Sequence, residues 1–390
     1  YYETAGWFYN NADVYDKLPD DIPYKIYVGE YAAIGRPSLY SSLAEAAYLT
    51  GVERNADKVQ MVSYAPLIEN AAHGKDHLLV LKNDSVYGRT NYYVLKMFSE
   101  NRPDVNLHTD LKPASPEPVF RTNGFIGLGT NNTEAQFKDL KVIVNGEEIY
   151  TSGWGDFVDK WTIIRGDWKT EGNLLSQSQK GIDALAILED REFDNCTIEL
   201  KAKKISGTEG FRIVFGGTDP NNYFMADIGS HTNESVIFRE VNNEGSISLF
   251  DYRNTASIKT DQWYTVRIEI EGAHWKCFLN DELQYEYTYA PKKKHYVVSG
   301  YDRERKEVIV KLVNAEAGNW KVRLQLDKAK NLASKGTKIV LGADDRFDEN
   351  SFSDPLKIVP KVTELSGISN EFTIDCQANS LTVLRIPCEK

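Results

Sequence analysis

Glu30 is the residue best placed for nucleophilic or acid–base chemistry. It follows Tyr24–Val28, a short apolar run that predicts a buried parallel strand, and it comes directly after Gly29. Enzymes built on α/β barrels place catalytic groups at the carboxyl ends of such strands. A Glu here can equally be a solvated loop residue or an acidic residue at the start of the next helix. Spacing alone therefore makes Glu30 a candidate catalytic residue but does not exclude a purely structural role.

Metal chemistry has weaker support. His73 and His77 are four residues apart in a polar segment, but no third ligand accompanies them, so solvent exposure is favoured over a zinc site. The turn that contains Asp219, Asn221 and Asn222 offers oxygen ligands for calcium, yet turns use these residue types for their own geometry. We therefore predict no essential cofactor.

Three tryptophans in the middle of the chain, Trp154, Trp161 and Trp168, are candidates for stacking on sugar rings. The alternative is that they fill the core of a β-sandwich, and this alternative is favoured. The sequence therefore leaves open whether the central segment binds carbohydrate or is a structural spacer.

The charge balance excludes some classes of partner. The net charge is −11, and the one basic run, Lys292–Lys294, reads as a solvated linker, so neither nucleic acid nor an anionic membrane is an expected partner. Neutral carbohydrate fits better with seven Trp and 22 Tyr. No apolar run approaches the roughly 20 residues of a membrane span, and the first residues do not resemble a targeting signal.

The four cysteines are too scattered for a disulfide scaffold and form no C-x-x-C pair. Cys376 and Cys388, or Cys196 and Cys277, can pair in an oxidising compartment. Buried free thiols are the favoured alternative.

The first hundred residues predict alternating strands and helices. After the strand that precedes Glu30, Pro37 suits the first turn of a helix and Gly51 its C-terminal cap. One face of this helix carries apolar residues at helical spacing: Leu39, Leu43, Ala46 and Ala47. A strand over Val59–Tyr64 and an amphipathic helix over Thr90–Asn101 follow.

Beyond about Asp104 the helical periodicity gives way to short strands. Period-two segments in the central part, between Val119 and Tyr289, resemble those of concanavalin-like sandwiches. A second β region extends from the linker at 290–294 to the end of the chain. Prolines at 113, 116 and 118 mark the other border, so the central segment reads as an insertion into one β domain.

Several motifs resemble the C-terminal part of the α-L-arabinofuranosidases of glycoside hydrolase family 51. In the barrel region these are Tyr1-Tyr2, Trp7-Phe8, Val28–Ala32, Leu43–Ala47, Glu53–Asp57 and Ser63–Leu67. In the β regions they are Phe125–Thr130, Ala135–Lys141, Val310–Asn314 and Glu349–Pro360. The likeness is specific over 1–116 and 293–390, and extends to the central segment only in general type.

The resemblance implies a mixed, mostly β chain in three parts. Residues 1–103 would be the last strands and helices of a TIM-type (β/α)8 barrel, and 104–116 with 293–390 a split C-terminal β-sandwich. Residues 117–292 would be an inserted concanavalin-like β-sandwich that can act as a carbohydrate-binding module. The chain would begin one residue after the family's active-site His, inside a larger folded unit.

The implied activity is retaining hydrolysis that releases terminal arabinofuranose from arabinan or arabinoxylan. Glu30 would be the nucleophile, surrounded by hydrogen-bond donors, with Tyr2 positioning it or the sugar. Tyr1 and Trp7 would pack beside the site or border the sugar. The acid/base Glu of the family's Asn-Glu pair would lie upstream, in a missing barrel segment or a chain that supplies it. The chain alone would then be inactive.

Three Asn-Glu pairs do occur in this chain, Asn233-Glu234, Asn243-Glu244 and Asn370-Glu371, and we read them as turn residues. A second departure from the family lies after Leu67, where many members carry a Trp. The rival interpretations are a non-catalytic carbohydrate-binding protein and a retaining xylosidase or glucanase on the same barrel. Secretion or a periplasmic location would suit polymer-derived substrates.

Overall fold

The computed structural model describes residues 1–35, 37–73, 78–113, 119–242, 245–249, 256–291, 293–327 and 329–388. The chain folds into two compact units, the first formed by Tyr1–Pro116 with Lys292–Lys390 and the second by Glu117–Pro291. Strands predominate in both units, which confirms the predicted mostly β class. Within the described ranges, no helix is long and apolar enough to cross a bilayer.

The N-terminal part of the first unit is built around a parallel sheet of β1, β2 and β3. In chain order the elements are β1 (Tyr2–Thr4), α1 (Ala5–Asn10), β2 (Ile26–Ile34), α2 (Leu39–Arg54), β3 (Val59–Tyr64), β4 (Ile68–Asn70), β5 (Leu79–Lys82), β6 (Ser85–Gly88), α3 (Thr90–Glu100) and β7 (Val105–Leu107). The predicted bounds of β3 are confirmed, and α3 begins at Thr90 as predicted but ends at Glu100, one residue earlier than predicted. The strand before Glu30 is longer than predicted, because β2 continues four residues past it.

The second unit is formed by two antiparallel sheets that share one core. Its elements are β8 (Asn123–Asn131), β9 (Thr133–Val144), β10 (Glu147–Ser152), α4 (Phe157–Lys160), β11 (Trp161–Arg165), β12 (Trp168–Glu171), β13 (Leu174–Gln177), β14 (Asp183–Asp194), β15 (Cys196–Gly207), β16 (Phe211–Asp219), β17 (Asn222–Gly229), α5 (Ser230–Asn233), β18 (Ser235–Asn242), β19 (Gly245–Leu249), β20 (Trp263–Glu271), β21 (His274–Leu279) and β22 (Glu282–Thr288). One sheet has the order β12-β13-β9-β15-β20-β21-β22, with β10 beside β9, and the other β11-β14-β8-β16-β17-β18-β19.

The three central tryptophans are core residues of the second unit. Trp154, Trp161 and Trp168 are 1%, 5% and 7% exposed and belong to the same apolar core. The favoured interpretation, that they fill a sandwich core, is confirmed, and burial leaves their ring faces covered by other side chains. All four cysteines are buried free thiols, as expected.

The C-terminal part of the first unit adds a six-stranded sheet and a two-stranded ribbon. Its strands are β23 (His295–Asp302), β24 (Glu307–Asn314), β25 (Trp320–Gln325), β26 (Lys335–Gly342), β27 (Lys361–Ser366), β28 (Glu371–Cys376) and β29 (Ser380–Pro387). The sheet has the order β27-β26-β29-β24-β23-β7, and β25 pairs with β28. One face of β24 contributes to a core with β25 and β28, and the other face to a core with α2.

Helix α2 is buried on nearly every side. From Leu39 to Gly51 all residues except Ser41 are buried, because the helix contacts β2 as well as β23, β24 and β29 of the six-stranded sheet. The predicted single apolar face is thus only part of its contact surface. The helix begins after Ser38, whose side chain forms a reciprocal capping box with Ser41. Pro37 therefore precedes the cap instead of occupying the first turn.

A buried ion pair joins α2 to the six-stranded sheet. Lys311 on β24 is fully buried, and its Nζ lies 2.6 Å from Oε1 of Glu53. Burial lowers the pKa of Lys311 and raises that of Glu53, and their mutual attraction opposes both shifts. Removing one partner of such a pair leaves an uncompensated buried charge. The pair therefore favours one placement of the helix on the sheet.

Gly51 does not cap α2, contrary to the prediction. The helix continues to Arg54 and is capped by Asn55, while Gly51 lies where the carbonyl group of Ala12 approaches the helix. A Cβ atom at this position would be 1.8 Å from the oxygen of Ala12. Glycine is required here for close approach of two backbones and not for its conformational freedom.

Gly51→Ala should therefore destabilise the protein, by about 1–3 kcal/mol of unfolding free energy, because the added methyl group displaces Ala12. Intrinsic helix propensity alone favours alanine by about 1 kcal/mol, so the sign is diagnostic. Urea unfolding measures the effect. Gly318→Ala is the matched control, since a Cβ at Gly318 meets no atom within 4 Å. Stabilisation by Gly51→Ala would contradict the close approach.

Asp227 holds a buried charge cluster in the second unit. Its side chain is 2% exposed; Oδ1 lies 3.1 Å from Nε of Arg212, and Oδ2 lies 2.6 Å from Nε of Arg239. Burial alone would raise the pKa of Asp227, but the two guanidinium groups outweigh it and hold the pKa below its ordinary value. The carboxylate therefore stabilises the fold in its ionised form.

Asp227→Asn should lower the free energy of unfolding by about 3–5 kcal/mol at pH 7, because Arg239 and Arg212 both lose their most buried counter-charge, while Arg212 keeps its ion pairs with Asp183 and Glu209. Because the folded-state pKa is depressed, this advantage of the wild type is complete above about pH 4 and shrinks as the pH falls further. Urea unfolding followed by tryptophan fluorescence at several pH values measures both effects. A pH-independent difference would contradict the assignment. Asp167→Asn, at an exposed position of the same unit, is the control.

Candidate functional site

A β-bulge places Glu30 on the outer face of the parallel sheet. Val28 pairs with Val62 and Tyr31 with Tyr64, so that Gly29 and Glu30 together lie opposite the single residue Ser63. In a regular strand, Val28 and Tyr31 would point to opposite faces. With the extra residue both are buried, at 5% and 1% exposure, and Gly29 and Glu30 are exposed. The bulge thus presents the carboxylate while the strand keeps its buried face.

Tyr2 holds the Glu30 carboxylate from the neighbouring strand. Its hydroxyl group donates a hydrogen bond to Oε2 of Glu30 at 2.7 Å. The main-chain nitrogen of Tyr1 donates to the main-chain oxygen of Glu30, also at 2.7 Å. The hydrogen bond to Glu30 raises the pKa of Tyr2, so the phenol remains protonated and donates at neutral pH. An exposed carboxylate that is fixed by one neutral donor is suited to nucleophilic attack.

Tyr1 and Trp7 contribute aromatic packing beside the carboxylate. Their ring centroids lie 4.8 Å apart, and Trp7 contacts Phe8 and Tyr48 of the buried core. Tyr1 remains 46% exposed, and Trp7 is half-buried. Of the three residues predicted to bind substrate, Tyr2 contacts the Glu30 carboxylate, Tyr1 contacts the main-chain oxygen of Glu30, and Trp7 packs beside Tyr1.

The exposed face of the sheet also carries large apolar side chains. Tyr27 and Met61 are paired across β2 and β3 and are 55% and 56% exposed. Helix α2 covers the opposite face. Parallel sheets normally have both faces covered. The face that bears Glu30 is therefore apolar and open in the described part of the chain.

Glu45 is a buried acid that the sequence interpretation missed. It lies on α2, is 2% exposed, and its Oε1 accepts hydrogen bonds from the main-chain nitrogen of Ala33 and the hydroxyl group of Tyr64. Burial raises its pKa to about 8. Local spacing gives no signal for it, because Glu45 lies on the side of α2 opposite the face that was predicted to be buried, and its burial depends on what packs there.

The remaining candidates lie elsewhere. His73 is in a short 3₁₀ helix, Ala71–His73, and contacts the carboxylate of Glu69; His77 lies outside the described residues. Asp219 accepts hydrogen bonds from Asn221 and Asn222 of its own turn. No group of three potential metal ligands occurs in the ranges that the structure covers.

Two of the Asn-Glu pairs can be located. Asn233 and Glu234 lie in the turn between β17 and β18, where Asn233 binds the oxygen of Ile258. Asn370 precedes β28, and Glu371 begins that strand and pairs with Arg323. The third pair, Asn243-Glu244, is outside the described residues.

Comparison with known proteins yields a consistent set of relatives. An extracellular exo-alpha-L-arabinofuranosidase of Streptomyces chartreusis is 28% identical over 392 residues, which cover 99% of this chain and 46% of that protein. Alpha-L-arabinofuranosidase 1 of Arabidopsis thaliana is 30% identical over 209 residues, or 50% of this chain and 30% of that protein. The chain thus spans less than half the length of these relatives.

Among solved structures, an arabinose-bound MgGH51 α-L-arabinofuranosidase aligns with 100% of this chain and 36% of its own, at 16% identity and a TM-score of 0.49. An alpha-L-arabinofuranosidase of Thermotoga maritima in complex with arabinose aligns with 93% of this chain and 42% of its own, at 9% identity and a TM-score of 0.41.

A family model described as the alpha-L-arabinofuranosidase C-terminal domain matches residues 29–380, which is most of the chain and includes Glu30. The chain therefore belongs to the alpha-L-arabinofuranosidase family, as the motifs around Glu30 predicted.

Proposed function

We propose that the full protein is a retaining, exo-acting α-L-arabinofuranosidase in which Glu30 is the nucleophile. The observation that carries the proposal is the bulge in β2, which exposes the Glu30 carboxylate on the sheet face while Tyr2 holds one of its oxygens at 2.7 Å. Family membership supports the reaction class. The exo mode is proposed by analogy with the Streptomyces chartreusis relative, which is an exo-alpha-L-arabinofuranosidase.

In this mechanism Glu30 attacks the anomeric carbon and forms a glycosyl ester, while a second carboxylic acid protonates the departing glycosidic oxygen. Water, deprotonated by that second group, then cleaves the ester and releases arabinose. Because Tyr2 binds Oε2, we assign the attack to Oε1. The hydrogen bond from Tyr2 fixes the carboxylate before the substrate arrives, which reduces the entropy lost in reaching the transition state.

The acid/base residue belongs to a part of the protein outside this chain. Retaining enzymes hold their two carboxyl groups about 5–5.5 Å apart, so the partner must approach the same face as Glu30. That face is open and carries exposed Tyr27 and Met61, as expected for a sheet that further strands complete. We propose that the elements up to 103 are the last strands and helices of a (β/α)8 barrel closed by upstream sequence.

The other parts would support this catalytic barrel. Residues 104–116 with 293–390 would form a split C-terminal β-sandwich, and 117–292 an inserted concanavalin-like sandwich. The buried positions of Trp154, Trp161 and Trp168 favour a structural role for the insert over sugar stacking through these rings. The substrates would be arabinofuranose-containing plant glycans such as arabinan or arabinoxylan, met outside the cell or in a periplasm.

Chemical rescue tests the role of Glu30. In the full-length protein, Glu30→Ala should lower kcat on an aryl α-L-arabinofuranoside by at least about 10³-fold, because the attacking group is lost. Added azide should restore turnover and yield an arabinofuranosyl azide of inverted configuration, since azide takes the place of the carboxylate in a single displacement. Product configuration is read by NMR.

The control is Glu3→Gln, a carboxyl change on the adjacent strand β1, which should leave kcat within about threefold of the wild type. Near-wild-type turnover by Glu30→Ala would exclude the nucleophile assignment. A rescued product of retained configuration would also exclude it, because that outcome marks loss of an acid/base residue instead. Hydrolysis of aryl xylosides or glucosides in preference to arabinofuranosides would overturn the substrate class.

A further inference from the structure

The carboxyl group of Glu45 lies directly behind the strand that carries Glu30. Glu45 projects from α2 toward the C-terminal end of β2, and only 2% of it is exposed. A buried carboxyl group is costly unless its hydrogen-bonding capacity is satisfied. The partners of Glu45 are therefore informative, because they show which elements it holds in place.

Its first partner is a main-chain group that the sheet leaves unpaired. The main-chain nitrogen of Ala32 donates to the main-chain oxygen of Tyr1, the residue before β1, at 2.9 Å. Successive N–H groups of a strand point to opposite sides, so the nitrogen of Ala33 points toward β3. The paired part of β3 ends at Tyr64, opposite Tyr31. Oε1 of Glu45 lies 2.8 Å from the nitrogen of Ala33 and replaces the absent main-chain acceptor.

Its second partner is the last residue of β3. The hydroxyl group of Tyr64 donates to the same Oε1 of Glu45 at 3.2 Å, and the ring of Tyr64 lies 5.2 Å from that of Tyr31. Nδ2 of Asn91, on α3, donates to the hydroxyl oxygen of Tyr64 at 2.6 Å. One carboxyl oxygen of Glu45 thus holds the C-terminal ends of β2 and β3, just beyond the bulge in β2.

We propose that Glu45 is a positioning residue for the nucleophile: it fixes Ala33 and Tyr64, and thereby sets the geometry of the bulge that aims Glu30 at the anomeric carbon. This proposal rests on the proposed function of Glu30. At the bulge, two residues of β2 lie opposite one residue of β3. The extra residue can move along β2 unless the pairing between the strands is fixed before and after it. Pairing with β3 fixes one side at Val28, and Glu45 with Tyr64 fixes the other.

The protonation state of Glu45 indicates which substitutions preserve this role. Burial raises its pKa to about 8, with a further contribution from the buried Glu349, so the neutral form predominates at pH 7. A hydrogen bond from Asn91 to the carboxyl group opposes this shift. Glutamine is uncharged and keeps Oε1 as the acceptor for the nitrogen of Ala33 and the hydroxyl group of Tyr64.

The test compares Glu45→Gln with Glu45→Met in the full-length protein. Methionine keeps the volume but removes the acceptor. We expect Glu45→Met to lower kcat on an aryl α-L-arabinofuranoside by about 10–100-fold with KM changed less than about threefold, because the carboxylate is misplaced by a fraction of an ångström to about 1 Å. Glu45→Gln should keep kcat within about threefold. Rates are referred to active sites counted by stoichiometric covalent inactivation, so unfolded molecules do not contribute.

The matched control is Glu53→Gln, which alters another buried carboxyl group of α2, one that pairs with Lys311 on β24. It should lower Tm without changing kcat per active site. A Glu45→Met enzyme with kcat within threefold of the wild type would overturn the proposal. If Glu45→Met does not fold, Glu45→Gln decides: a tenfold loss of kcat per active site would overturn it.

Amide hydrogen exchange separates this proposal from the proposed function. The Ala33 amide should be protected in the wild type and in Glu45→Gln, and should exchange at least tenfold faster in Glu45→Met while the amide of Val28 is unchanged. This result can be obtained even if the protein hydrolyses no arabinofuranoside. In that case the proposed reaction is refuted, while the role of Glu45 in fixing the end of β2 is supported. Equal exchange rates of the Ala33 amide in all three proteins would refute the role of Glu45 in fixing β2, whatever the activity.

Discussion

Helix α2 must fit between two layers, and this constraint determines most of the first unit. On one side it covers the parallel sheet that carries Glu30, and on the other it packs on β23, β24 and β29. A helix in that position has no solvated face, so even its polar residues must find partners. Glu45 binds the end of β2, Glu53 binds Lys311, and Gly51 admits the carbonyl group of Ala12. Each of these contacts restricts the helix in a different direction.

The position of Glu30 follows from this arrangement. The bulge in β2 exists because Val28 and Tyr31 are both buried toward α2, which regular alternation does not permit. The extra residue turns Gly29 and Glu30 outward, and the hydroxyl group of Tyr2, on β1, donates a hydrogen bond to the Glu30 carboxylate. The open, apolar face around them is the face on which a second carboxyl group must arrive if the reaction is retaining hydrolysis. Local packing on one side of the sheet thus creates the chemical feature on the other.

Much of this organisation could be predicted from the sequence, and the failures share a cause. The bounds of β3 and the start of α3 follow from local periodicity, and Glu30, Tyr2 and the family follow from motifs. The burial of Lys311 does not follow from the alternation of its strand, because β24 is buried on both faces and α2 lies on one of them. Gly51 was misassigned for a related reason, since its partner, Ala12, is distant in sequence. The bulge and the role of Glu45 depend on which element packs behind β2, and local spacing does not encode that.

The most direct test of the account is to trap the covalent intermediate. The full-length protein is treated with a 2-deoxy-2-fluoro arabinofuranosyl donor, which slows hydrolysis of the glycosyl ester, and the labelled site is identified by mass spectrometry. Because Pro37 follows Arg36, trypsin releases Glu30 in a peptide spanning 26–54 that also contains Glu45 and Glu53. Fragmentation must therefore assign the adduct within it. The account predicts one arabinofuranosyl group on Glu30; an adduct on any other carboxyl group would contradict it.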